Sequence, residues 1–125
     1  MGRLFRLLGD FAERNDLGEA FVSPLDVLFA EGDDLEPDIL FVRSGRDDAL
    51  THRGLEGPPD LVVEVLSVST EARDRGIKLE RYRLYDVPEY WVIDPDEGAV
   101  EVWRLAAGDT EPARYGTADT LGWTP

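Results

Sequence analysis

The run Leu61-Val62-Val63-Glu64-Val65-Leu66 constrains this chain more than any other stretch. Its five aliphatic residues, three of them β-branched, leave both faces apolar except at one carboxylate. Such a run is stable only as a strand inside a sheet that is covered on both sides. Glu64 therefore sits where the interior should be dry. An unpaired carboxylate in that place costs several kcal/mol or takes up a proton. A buried acid of this kind is expected to serve a cation or a reaction, the plainer alternative being a structural pair with an arginine.

The flanking sequence supplies the layers. Leu4, Phe5, Leu7, Leu8, Phe11 and Ala12 recur at three- and four-residue spacing and predict a helix over 2–15, ended by Asn15-Asp16 and Gly18. Ala20-Phe21-Val22 predicts a strand, and Leu25, Val27 and Phe29 alternate as a second one would, with a break or edge at Pro24. Glu31-Gly32-Asp33-Asp34 predicts a turn, Ile39-Leu40-Phe41-Val42 a buried strand, and 43–59 a loop. Ser67 to Thr70 leads into a helix through Tyr85, interrupted at Gly76 and stopped before Pro88. Tyr90-Trp91-Val92-Ile93 and Val100-Glu101-Val102-Trp103 predict a hairpin across 94–98, and after Gly108 the pattern decays. The order predicts one α/β (α+β) domain over 1–125.

Composition narrows the chemistry. The chain has no cysteine and one histidine, which excludes disulfide frameworks, thiolate zinc sites, thiol nucleophiles and multi-histidine centres. No apolar run approaches the ~18 residues of a membrane span and no signal-peptide pattern opens the chain, so a soluble, cytoplasmic protein without a membrane partner is expected. Reactive groups must be carboxylates, hydroxyls, arginines and a single lysine. Twelve arginines accompany that one lysine, Lys78. An ammonium is compact and can lose its proton, whereas guanidinium stays charged and planar, so the lysine is a candidate for work that arginine cannot do.

Asp38 follows Pro37 and heads the strand 39–42. It can meet Glu64 if the two strands are neighbours, about 4.8 Å apart. Two carboxylates so placed suit Mg²⁺, although an aspartate after proline is also an ordinary turn residue. Asp60 lies four residues before Glu64 on one strand, roughly 13 Å away, too far to share a small ion. Lys78, Tyr82 and Tyr85 form an i, i+4, i+7 line on the predicted helix, within a segment, 73–83, that is locally +3. A solvated, ion-paired helix face is the alternative for Lys78. His52 is expected to be solvated, Asp94 to form a turn, and Trp91 and Trp103 to be core or dimer contacts.

Together, Pro37-Asp38-Ile39, Pro59-Asp60-Leu61-Val62-Val63-Glu64-Val65-Leu66-Ser67, Asp74-Arg75-Gly76-Ile77-Lys78 and Val87-Pro88-Glu89-Tyr90-Trp91-Val92-Ile93-Asp94 resemble a bacterial restriction-endonuclease-like family of the PD-(D/E)XK nuclease superfamily. The resemblance spans about residues 3–105. It implies a restriction-endonuclease-like mixed β-sheet flanked by helices, and Mg²⁺- (or Mn²⁺-) dependent hydrolysis of DNA phosphodiester bonds by an endonuclease. Asp38 and Glu64 are similar to the motif acids that hold the metal, with the Val65 carbonyl as a further ligand. The superfamily's usual lysine position falls on Leu66, and Lys78 resembles a lysine moved to the next helix, so Asp38, Glu64 and Lys78 are the expected catalytic set. Against the family pattern, Ser67-Val68-Ser69 stands for Ser-Pro-Ser and Asp86-Val87-Pro88 for Gly-Val-Pro. The chain is expected to be short at both ends relative to the family.

Two features bear on partners. The aromatic and valine side chains of 90–103 exceed what one small sheet face buries, so a homodimer is expected. With 13 Lys+Arg against 27 Asp+Glu, the net charge of −14 repels a polyanion. That charge favours the alternative reading, a catalytically inactive nuclease-fold domain that dimerises or binds a partner.

Overall fold

In the computed structural model, the described residues are 18–22, 25–29, 34–66, 74–94 and 98–116. The helix expected over 2–15 lies outside them, as do residues 31–33 of the expected turn and 95–97 of the hairpin connection.

The larger of two sheets has six strands: β1 (Gly18–Val22), β4 (Ile39–Arg43), β7 (Leu61–Val65), β8 (Glu89–Asp94), β9 (Ala99–Arg104) and β10 (Ala113–Gly116), in that spatial order. All neighbours are antiparallel except β7 and β8, which run parallel with Glu64 opposite Val92. The apolar run is thus a central strand, and its burial follows the demand of its sequence: Leu61, Val62 and Val63 are fully buried. A parallel pair needs a crossover rather than a hairpin. The described part of that crossover is a wide π-helical turn, Asp74–Lys78, continuing into the helix α1 (Leu79–Leu84). The interruption expected at Gly76 takes the form of this turn.

The second sheet is small, with order β3 (Asp34–Leu35), β2 (Val27–Leu28), β6 (Gly54–Glu56) and β5 (Leu50–Thr51). Two sequence expectations change here. Residues 43–59 are not a plain loop: they hold a 3₁₀ turn at Asp47–Ala49 and the pair β5–β6, strands too short to show a period. The decayed pattern after Gly108 contains β10, half-exposed along its length and therefore weakly patterned.

The larger sheet buries both faces. Ile39, Phe41, Leu61, Val63, Trp91 and Val102 form one core layer. The other face packs Leu40, Val62 and Val92 against Leu79 and Tyr82 of α1. Pairing of Tyr90 with Trp103 and of Trp91 with Val102 sends the two tryptophans to opposite faces. Tyr90, Trp91, Val92 and Val102 are at most 3% exposed within the single chain, whereas Ile93, Val100 and Trp103 of the same hairpin are only partly buried.

The end of α1 explains one departure from the family pattern. The N–H of Asp86 donates to the Arg83 carbonyl at 3.3 Å and that of Val87 to the Tyr82 carbonyl at 3.0 Å. This is a Schellman closure, and it requires a left-handed residue at Asp86, whose φ is 63°. Glycine suits that position best; aspartate is among the few other residues that tolerate it.

Candidate active site

Antiparallel pairing of β4 with β7 sets Ile39 opposite Val63, which brings Asp38, one residue before β4, beside Glu64. The two acids are tied by an exchange of backbone bonds. The Asp38 N–H donates to Glu64 Oε1 at 3.1 Å, and the Val65 N–H donates to Asp38 Oδ2 at 2.8 Å. Each carboxylate is oriented by the main chain of the other's strand.

From the opposite side, α1 and the turn before it close on the second oxygen of Glu64. Lys78 Nζ lies 2.9 Å from Oε2, and the Tyr82 hydroxyl donates to the same atom at 3.0 Å. Spacing of four residues places both groups on one helical face. The sequence aligned Tyr82 with Lys78 but gave it no role; the signal was the i, i+4 line ending on a polar tip in a stretch that packs inward. The structure also makes Lys78 the ion-pair partner of Glu64. A plain solvated face does not describe it, although 30% of its side chain reaches solvent.

Glu64 is 1% exposed. Burial raises its pKa above the usual carboxylate value, opposed by the hydrogen bond and charge of Lys78 and by the Asp38 N–H, while the Asp38 carboxylate adds to the rise. Desolvation prevails, so the site holds a carboxylate whose ionised form is under tension.

Hard oxygen donors of this kind fit a divalent cation such as Mg²⁺. No described residue donates to Asp38 Oδ1, which leaves it available as a ligand. Among the described residues no group of three or more His, Cys, Asp or Glu side chains converges, so a cation held here would need water or substrate oxygens to complete its shell, as Mg²⁺ commonly does.

The remaining candidates are structural. Asp60 Oδ2 accepts from the Arg43 N–H at 2.7 Å and from Arg46 Nη1 at 3.1 Å, which fastens the loop after β4. Leu66 is 7% exposed and joins the core on the α1 side. His52 is exposed. Glu101, which sequence reasoning passed over although it interrupts Val100 and Val102, is buried and paired with Arg114 at 3.1 Å. A cavity of about 300 Å³ lies near the far end of β4, lined by Gly18, Val42, Ser44 and Arg46 among others, and shares no residue with the cluster.

Comparisons with known proteins bear on the family and the fold. The model of the family described as Uma2, putative restriction endonuclease, matches residues 1–123. Among solved structures, the chain is similar to a putative nuclease belonging to DUF820 from Anabaena variabilis, with 21% identity over 99% of this chain and 69% of that one and a TM-score of 0.78. That likeness establishes the restriction-endonuclease-like fold. No curated protein matches the chain.

Proposed function

The chain belongs to the Uma2 restriction-endonuclease family, and from that premise we propose that it is an endonuclease hydrolysing DNA phosphodiester bonds with Mg²⁺ or Mn²⁺ at the Asp38–Glu64–Lys78 cluster. The observation that carries the reading is Glu64, a carboxylate with 1% exposure, bonded at once to the Asp38 backbone and the Lys78 ammonium. A purely structural acid has no need of an adjacent second carboxylate with an available oxygen.

Asp38, Glu64 and the Val65 carbonyl would hold the cation. When bound, the cation polarises the scissile phosphate and lowers the pKa of a coordinated water. The Val65 N–H fixes Asp38 Oδ2 and leaves Oδ1 without a donor among the described residues. The Asp38 N–H holds Glu64 Oε1 in the same way. Lys78, with part of its side chain in solvent, can turn its ammonium towards a phosphate oxygen and stabilise the charge that develops there. Its chain origin on the helix rather than on β7 does not matter, since only the position of the ammonium does.

The net charge of −14 favours a second reading, an inactive nuclease-fold domain that binds a partner, because it weakens any counterion-release affinity for DNA. One experiment separates the two. Plasmid cleavage in Mg²⁺ and Mn²⁺ and calorimetric cation binding are compared for the parent and Glu64→Gln. Binding and nicking that are both lost in Glu64→Gln support the nuclease. A parent that binds cation but never cleaves leaves the second reading.

A further inference from the structure

We infer that Tyr82 is a positioning residue for the cation site, holding Glu64 in place while Lys78 is engaged with substrate. The inference rests on the nuclease reading above and concerns a residue that reading does not use.

Glu64 receives three donors on its two oxygens. Oε1 takes one donor, the Asp38 N–H, and Oε2 takes two, Lys78 Nζ and the Tyr82 hydroxyl. An ammonium that serves a phosphate cannot keep its whole attention on Oε2. When it turns away, one donor remains to fix that oxygen, and it is Tyr82. The two donors also differ in freedom. Lys78 is a flexible chain with 30% of its side chain in solvent, whereas Tyr82 is fully buried. The Tyr82 ring packs against Tyr90 of β8 with centroids 5.0 Å apart and planes tilted by 50°. Its own carbonyl is tied to the Val87 N–H in the Schellman closure of α1. A fully buried phenol therefore shares one oxygen with a partly exposed ammonium. Outer donors of this sort set the orientation of a metal-binding carboxylate, and their loss typically weakens metal affinity about 10- to 100-fold.

The test removes one atom. Tyr82→Phe keeps the ring and deletes the hydroxyl. Mn²⁺ affinity is measured by calorimetry, beside plasmid-cleavage kcat and KM and urea unfolding in chelator. The expected result is Mn²⁺ binding weakened about 10-fold or more, with kcat lowered and KM for DNA little changed. A Tyr82→Phe protein that is less stable but binds Mn²⁺ like the parent assigns Tyr82 to the core alone and overturns the inference, leaving the nuclease reading untouched. A parent that binds no Mn²⁺ overturns both. Should Tyr82→Phe not fold, the parent itself answers. Its tyrosine Cζ resonances, assigned by replacing Tyr85, Tyr90 and Tyr115 with Phe in turn, are followed during Mg²⁺ titration. A Tyr82 signal that shifts on binding supports the inference, and one that stays fixed while the cation binds overturns it.

Discussion

Replacing Lys78 by Met tests the centre of the site without touching a proposed metal ligand. At 2.9 Å, with an effective dielectric constant of about 20, the gross attraction to Glu64 is about 6 kcal/mol. Much of this is offset. Glu64 has left water almost completely, at 2% side-chain exposure, whereas Lys78 at 30% gives up only part of its hydration and still meets solvent screening. A hydrogen bond to a charged group in such a setting contributes about 1.5–3 kcal/mol net. We therefore expect a coupling of about 2 kcal/mol between the two side chains, within that range. The assay is a double-mutant cycle by urea unfolding at pH 7 in chelator, with the parent, Lys78→Met, Glu64→Gln and the pair. Lys78→Met alone loses stability, since a buried carboxylate is left with two neutral donors; in the Glu64→Gln background the same change costs less by the coupling. A coupling below about 0.5 kcal/mol, the usual scatter of additivity, would refute the reasoning and make Lys78 a surface charge.

Three further outcomes follow from the geometry. The folded-state pKa of Glu64 is raised by burial, so between its unfolded value and that raised value only the folded state keeps the proton. Stability of the parent relative to Glu64→Gln is therefore lowest above the raised pKa, rises as pH falls through it, and levels off near the ordinary carboxylate range; a flat difference from pH 4 to 8 in urea titrations would contradict this. Asp86→Gly relieves the left-handed backbone at the end of α1 and should stabilise the metal-free chain by about 0.5–1 kcal/mol, read as a higher Tm without a change in cleavage. Gly54→Ala should lower stability by more than about 1 kcal/mol, because at φ +132° its Cβ would come within 2.4 Å of the Asp26 carbonyl oxygen, and unfolding at the parent's urea midpoint would show that the backbone gives way.

The sequence was most legible where burial and period agree. Glu64 within Leu61–Leu66 and the strand Ile39–Val42 are read directly from their neighbours; that the two strands pair, which brings Asp38 to Glu64, is a condition in the sequence that the register of β4 on β7 supplies. The hairpin 90–103 was legible too, though not the division of Trp91 and Trp103 between faces, which depends on register. What the residues did not reveal were contacts made by elements too short to have a period. β5 and β6 have two and three residues, and β10 alternates half-buried with exposed positions. Tyr82 was visible as one point of a helical line, but whether its hydroxyl faced solvent or Glu64 depends on how the crossover returns to β8.

Leu66 lies two residues beyond Glu64, on the same face of the strand's line, and packs in the core with Leu79. Where the cation comes from the strand, one position must satisfy both chemistry and packing. In this chain the duties are separated: position 66 contributes ~1.5–3 kcal/mol of buried aliphatic surface, and position 78 carries the charge. On the nuclease reading, mutations at the first are felt as abundance, whereas those at the second strike the Glu64 ion pair and the proposed chemistry together. The constraint has moved into helical phase. A residue inserted between Lys78 and Tyr82 would swing one of them by about 100° and break their convergence on a single oxygen atom.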